Sequence, residues 1–377
     1  MTIELRYAGF DEYPRISRFL AAHWAADNIY VRERRLFDWT FGRSALWDRD
    51  GYSFALAEAG GEIVGILGAI PFEFNRLGAG ARALWLANYM IAPEHRRGPL
   101  AVRLLQAMRR DPYMATIAFG INPRTAPLYQ ALRWRVVENI PRHVVILPEA
   151  VDRMVEIIRL AHEDLPAADA AALARRFALP APVFPSTPCG NELPEDWDER
   201  GWRPLAETTV GAARDRAYLT WRYLKHPIFE YRMLALREAD RIGLLVWRLE
   251  TIRRATPGGE IELDRIGRVV EWIPCSGENA RGLFAHLLAG LREAGAMGAD
   301  FYCHHGGIRR WIAEAGFLPI EEAEDGARIP ARFQPLDAKS PAICSSIYSS
   351  EPLPDCASRA DCAWYWTKSD ADQDRPI

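Results

Sequence analysis

The chain has 377 residues, 49% of them hydrophobic and 26% charged, which are the proportions of a globular protein and exclude a disordered chain, a collagen or a coiled-coil rod. The length suggests two domains, or three. Lys and Arg number 47 against 50 Asp and Glu, a formal charge of −3, and the arginines are scattered, so nothing provides the basic face that a long nucleic acid needs.

In chain order, Asp11 to Ala25 places Tyr13, Ile16, Phe19, Leu20 and Trp24 at helical spacing, and Glu33 to Phe41 predicts a second short helix. Tyr52 to Glu58 and Glu62 to Phe74 predict a strand pair turning at Gly60-Gly61. Ala81 to Ala92 reads as a strand, and Pro99 to Arg110 as a helix with Leu100, Leu104, Leu105 and Met108 on one face. Ala115 to Ile121 reads as a buried strand, Thr125 to Leu132 as a short helix, and Trp134 to Val145 as one more strand. These elements predict a mixed α/β domain over 1–148. A helical and Pro-rich connector follows over 149–204, then a second domain over 205–336 and a C-terminal tail over 337–377.

The order of elements recurs. Trp39, Ala55-Leu-Ala-Glu-Ala59, Gly65 and Trp134 have counterparts in Trp221, Ala235-Leu-Arg-Glu-Ala239, Gly243 and Phe317, at a near-constant spacing of about 180 residues. Each match is weak alone; their common order argues for an internal duplication. No apolar run is long enough to span a membrane, and the first 16 residues carry acids and no apolar signal core. The six cysteines include no C-x-x-C pair, which argues against a zinc ribbon, and reduced thiols in the cytoplasm are expected.

The stretch from Leu84 to Leu105 carries the most chemistry. An apolar strand ends at Ile91, a turn with Arg96, Arg97 and Gly98 follows, and a helix begins near Pro99. Backbone amides converging at such a helix start, with arginines beside them, suit a pyrophosphate. This stretch resembles the coenzyme signature of the GNAT acyltransferases, Q/R-x-x-G-x-G/A, with Arg96, Pro99 and Ala101 at its three fixed places. Proline replaces the middle glycine, so one phosphate-binding N–H is lost. A second block, Phe119-Gly-Ile-Asn122 to Tyr129-Gln-Ala-Leu-Arg-Trp134, resembles the part of these enzymes where two strands splay around the acyl-pantetheine arm.

The resemblance implies two tandem GNAT-like domains, each a twisted mixed sheet flanked by helices. It implies an acyl-CoA co-substrate, acetyl-CoA or another short-chain acyl-CoA, held by Met90, Ile91, Arg96, Arg97, Gly98, Leu100, Ala101 and Asn122. Amides near Met90 and Ile91 would polarise the thioester carbonyl, and Tyr129 would protonate the departing thiolate. Many of these enzymes carry a basic Glu on the fourth strand; Asn88 lies in that region here, so the base is unnamed. His23-Trp24, Asn28, Leu36 to Trp39, Tyr218 to Tyr223 and the ending Asp370 to Pro376 look like two-domain GNAT proteins of surface-polysaccharide gene sets. Some of those acylate the amino group of a nucleotide-linked deoxyamino sugar. Trp24, Asn28, Trp39 and Asn88 would then contact the acceptor, with His304 and His305 from a second copy that lacks the coenzyme signature.

No metal is expected. Asp370, Asp372 and Asp374 lack the glycine and the twelfth ligand of a calcium loop. Two alternatives stay open: a Fem-type aminoacyl-tRNA-dependent ligase, and a non-catalytic module that binds acyl-CoA or sugar.

Overall fold

The computed structural model describes residues 2–43, 45–110, 112–137, 139–180, 184–320, 328–337, 343–355 and 362–374. Its first half comprises β1 (Ile3–Tyr7), α1 (Tyr13–His23), α2 (Ile29–Arg32), α3 (Arg34–Phe41), β2 (Phe54–Ala59), β3 (Glu62–Arg76), β4 (Ala79–Ile91), α4 (Leu100–Met108), β5 (Tyr113–Ile121), α5 (Ala126–Ala131) and β6 (Arg135–Val137). Then come β7 (Arg142–Ile146), α6 (Val151–Ala161), α7 (Ala167–Arg176), α8 (Arg203–Ala206), β8 (Val210–Ala212) and α9 (Arg216–Leu219). The second half runs through β9 (Arg232–Glu238), β10 (Arg241–Thr256), β11 (Gly259–Ile273), α10 (Gly277–Glu293), β12 (Gly298–Tyr302), α11 (Gly306–Ala315) and β13 (Leu318–Pro319). Two short strands, β14 (Arg332–Phe333) and β15 (Leu336–Asp337), precede β16 (Cys344–Ser349).

Local sequence accounts for much of this. Gly60 and Gly61 both take positive φ and turn β2 into β3; Leu77 and Gly78 do the same between β3 and β4. Leu100, Leu104, Leu105 and Met108 form the buried face of α4, as their spacing predicts. Pro166 stands at the start of α7, separating the two connector helices where one helical stretch was expected.

Two large sheets result, in the orders β1-β2-β3-β4-β5-β16-β6 (with β8 also on β3) and β13-β7-β12-β11-β10-β9, and β14 and β15 pair in a small third sheet. Each large sheet holds one parallel pair, β4–β5 and β11–β12. A similar order of elements recurs in the two halves, and Trp39 and Trp221 stack on one another at 4.7 Å.

The halves exchange strands reciprocally. Residues 134–145, expected as one strand of the first sheet, form two: β6 stays, while β7 inserts between β12 and β13. Pro141 lies between them; without an N–H it cannot continue a ladder, and its carbonyl accepts from Cys303 instead. In return β16, from the segment expected to be a tail, fills the equivalent gap between β5 and β6.

The rest of that segment is also interior. Trp364, Tyr365 and Trp366 are at most 2% exposed, and full burial of such side chains contributes roughly 1.5–3 kcal/mol each. The larger apolar core runs through both halves, and a smaller one fills the α4 side of the first sheet.

Candidate active site

The first sheet opens between β4 and β5. Their parallel pairing runs from Arg82 opposite Tyr113 to Leu86 opposite Ala118 and stops there. The cause is a bulge in β4. Its register on β3 jumps from Met90–Ile66 to Ala87–Gly68, so Asn88 and Tyr89 together face one residue of β3. Asn88 takes the left-handed conformation, φ 53°, which asparagine tolerates better than most side chains. A bulge bends its strand and re-aims its side chains. On the far side β5 is held by β16, so the gap does not close.

A cavity of about 360 Å³ occupies this opening. Asn88, Tyr89 and Met90 border it from β4, Phe119 to Asn122 from β5 and its end, Tyr129 from α5, and Trp24 from the end of α1. Both amide atoms of Asn88 and the Tyr89 hydroxyl are buried and hydrogen-bond to nothing among the described residues. Unsatisfied buried groups of this kind cost about 1–3 kcal/mol each, a cost that a polar ligand or water in the gap would remove.

Tyr129 is 2% exposed and packs edge-on against Trp134 at 5.2 Å. Burial pushes its phenol well above the ordinary range, so it is a proton donor near neutral pH. Asn122 borders the cavity, but its side-chain oxygen accepts from the Arg124 amide at 3.0 Å and caps a 3-10 turn.

The basic turn lies at the end of β4. Ala92 donates to Val64 of β3. Amides along a strand alternate between its two edges, so Ile91 turns its N–H to the opened side while Met90, two residues from Ala92, turns its own to β3. Arg96 folds back and donates from Nε to the Ile91 carbonyl at 3.0 Å. Gly98, at φ 123°, has nothing within 4 Å of where a Cβ would sit, so the turn faces open space. The helix begins one residue later than expected: Pro99 is the N-cap and Leu100 the first helical residue. No side chain caps α4, so its first amides, those of Leu100 and Ala101 included, lack intrahelical acceptors. These features fit a coenzyme A pyrophosphate.

Other candidates have different places. Asn28 accepts from the Tyr30 amide at 2.9 Å as the N-cap of α2. Trp39 belongs to the contact between halves, against Trp221 and His226. His304 is 1% exposed and stacks on Trp366 at 5.6 Å. His305 accepts from the Ile308 amide as the N-cap of α11, and burial lowers its pKa to about 4. None of these four borders the cavity. An N-cap acceptor and a stacked ring explain the histidines without an acceptor substrate.

The ending, to which sequence reading gave no site role, also reaches the cavity. Asp372 and Gln373 border the cavity. Gln373 Nε2 donates to the Phe119 carbonyl at 3.2 Å, and Gly120, at φ 73°, leaves room for its side chain. The flanking acids anchor the segment. Asp370 pairs with Arg214 at 2.8 Å and Asp374 with Arg248 at 2.6 Å. Arg214 also reaches Glu271 at 2.7 Å, which Tyr223 and Tyr365 bond as well. Pro376, the last residue of the ending, lies outside the described residues.

No group of three or more His, Cys, Asp or Glu among the described residues is placed to hold a metal, and no helix among them is long and apolar enough to cross a membrane. The opened sheet, the turn at its strand end and the tyrosine across the gap resemble the arrangement expected of a GNAT-type acyltransferase. Residues 19–129 match the family model described as Acetyltransferase (GNAT) family. The chain is similar to a GCN5-related N-acetyltransferase from Anabaena variabilis, with TM-score 0.51 and 12% identity over 79% of this chain and 65% of that one. It thus spans less than two thirds of that protein's length. It is also similar to a GCN5-related N-acetyltransferase from Kribbella flavida, with TM-score 0.51 and 13% identity over 92% and 71% of the two chains. With Saccharomyces cerevisiae N-myristoyltransferase bearing myristoyl-CoA the TM-score is 0.55 at 10% identity, over 96% and 89%. At such identities the likeness is one of fold. No curated protein matches the sequence.

Proposed function

We propose that the protein is an acyl-CoA-dependent N-acyltransferase that transfers an acyl group to a primary amine. The observation that carries this is the gap between β4 and β5, with the basic turn at its mouth and Tyr129 on its wall. The amides of Leu100 and Ala101, with Arg96 and Arg97, hold the coenzyme pyrophosphate. The pantetheine arm lies along the open edge of β4 by strand addition, and the Ile91 amide stabilises the developing oxyanion. Tyr129 gives its proton to the leaving sulfur.

The amine must lose a proton before it attacks. Asp372 is the one carboxylate among the described residues bordering the cavity, and we assign it as the base. General-base catalysis contributes roughly 10²–10⁴-fold. The resemblance to amino-sugar N-acyltransferases places a nucleotide-linked deoxyamino sugar first among acceptors, and a cytoplasmic location suits that substrate.

The test is release of free thiol from acetyl-CoA in the presence of a panel of amines, amino sugars included. Amine-dependent release that Asp372→Asn lowers by 10²-fold or more supports the reading. Coenzyme A binding with no amine-dependent release across the panel favours a binding module instead.

A further inference from the structure

A second cavity, of about 180 Å³, lies on the face of the second sheet that meets the C-terminal segment. Arg248 and Glu250 reach it from β10, Arg268 from β11, Arg332 from β14, and Lys368 and Asp374 from the ending. Four cations therefore border it against two carboxylates.

The carboxylates are already engaged. Asp374 accepts from Arg248 at 2.6 Å and from the Tyr231 hydroxyl at 2.7 Å. Glu250 is shared by Arg248 and Arg268, each at 3.1 Å. Behind the wall, Asp300 is shared by Arg268 at 2.6 Å and Arg142 at 3.0 Å. Counting Arg142 and Asp300 with the lining leaves the balance unchanged at two positive charges.

Those two charges belong to Lys368 and Arg332. Among the described residues the Lys368 ammonium meets only the Tyr302 ring, 5.5 Å away, and no carboxylate at ion-pair distance. Arg332 Nε is buried without an acceptor. Burial and then Arg268 lower the lysine's pKa to about 8, against the pull of Asp300, Glu250 and Asp374. Lys368 and Arg332 are both half-buried, and a bound anion would supply the counter-charge that the lining lacks.

The two cavities share a wall. Gln373 borders both, with Asp372 on the first cavity and Asp374 on the second. Gln373 is the one described residue common to the two linings.

We propose that the second cavity binds an oxyanion, a phosphate or carboxylate group carried by the acceptor amine, with Lys368 and Arg332 as its cations. The identity of that molecule as acceptor rests on the acyltransferase reading above; the anion site does not. Anionic amines are then the preferred acceptors, and a neutral amine of the same size is a poor one.

The experiment is calorimetric titration of inorganic phosphate, and separately of acetate, into the Arg96→Glu/Arg97→Glu protein, where the coenzyme turn no longer offers a second phosphate site. The expected result is one saturable site for at least one anion, weakened tenfold or more by Lys368→Met and also by Arg332→Gln. The stronger ligand identifies the oxyanion class. Absence of saturable binding by both anions, or binding that neither substitution changes, overturns the proposal. Acetyl-CoA is titrated into the wild-type protein in parallel. Failure to bind it would sink the acyltransferase reading while leaving the anion result to be judged by itself.

Discussion

Replacing Tyr129 by phenylalanine isolates one hydroxyl. The ring keeps its edge-on contact with Trp134 at 5.2 Å, and the hydroxyl makes no hydrogen bond among the described residues, so no partner is orphaned. Stability should move by less than about 1 kcal/mol, a few degrees in melting temperature at most. If Tyr129 protonates the leaving sulfur, kcat should fall ~10–10³-fold, or about 1.4–4 kcal/mol of transition-state stabilisation, with acyl-CoA affinity almost unchanged. A pH profile alone is a weak probe here. Burial pushes the phenol above its ordinary value of 10.0, so its ionisation lies beyond the usual assay range. Leaving-group dependence is the better assay. With acyl thioesters of progressively more acidic thiols, the deficit of the variant should shrink toward nothing, because a good leaving group needs no proton. A turnover within about twofold of wild type for every thioester, in a folded variant, would refute the assignment.

Arg96→Glu with Arg97→Glu should weaken acyl-CoA binding by about 10–100-fold at low salt, with the difference narrowing as salt rises; an unchanged affinity by calorimetry would move the coenzyme away from this turn. Gly120→Ala should lower both melting temperature and amine turnover, since a Cβ there collides with the Gln373 amide at a backbone conformation that alanine resists; wild-type turnover would show that Gln373 has no part in acceptor binding. Glu250→Gln tests the buried ion cluster: burial would raise this carboxyl, but Arg268 and Arg248 outweigh it and hold it at about 2. A folded-state value below the ordinary 4.5 contributes stability that is present above pH 4.5 and lost as pH falls toward 2. Denaturant titration should therefore show the variant about 3 kcal/mol less stable at pH 7, with the gap closing in acid; a gap independent of pH would contradict the pairing.

The hairpin at Gly60-Gly61, the buried face of α4 and the strand–turn–helix from Leu84 to Leu105 were legible because each is a local pattern. The strand exchange was not. The β-branched run Val144 to Ile146 satisfies either sheet, and only Pro141 hints at the interruption. The bulge at Asn88 was hidden because nothing local distinguishes an asparagine in the left-handed conformation from one in a regular strand. The ending was the largest loss. Asp370, Asp372 and Asp374 look like a solvated acidic tail in sequence, since two of their partners, Arg214 and Arg248, lie over a hundred residues upstream. The available signal was Trp364-Tyr-Trp366, too apolar for a tail in water. His304 and His305 drew notice as chemistry-bearing residues, and one of them is spent on a helix cap.

The most direct test of the acyltransferase account is a crystal structure with acetyl-CoA soaked into the protein. The account predicts the pyrophosphate on the amides after Pro99 beside Arg96 and Arg97, the pantetheine arm between β4 and β5, and the acetyl group within reach of Tyr129 and the Ile91 amide. Coenzyme density in the second half, between β11 and β12, or a gap between β4 and β5 left empty at saturating acetyl-CoA, would contradict it.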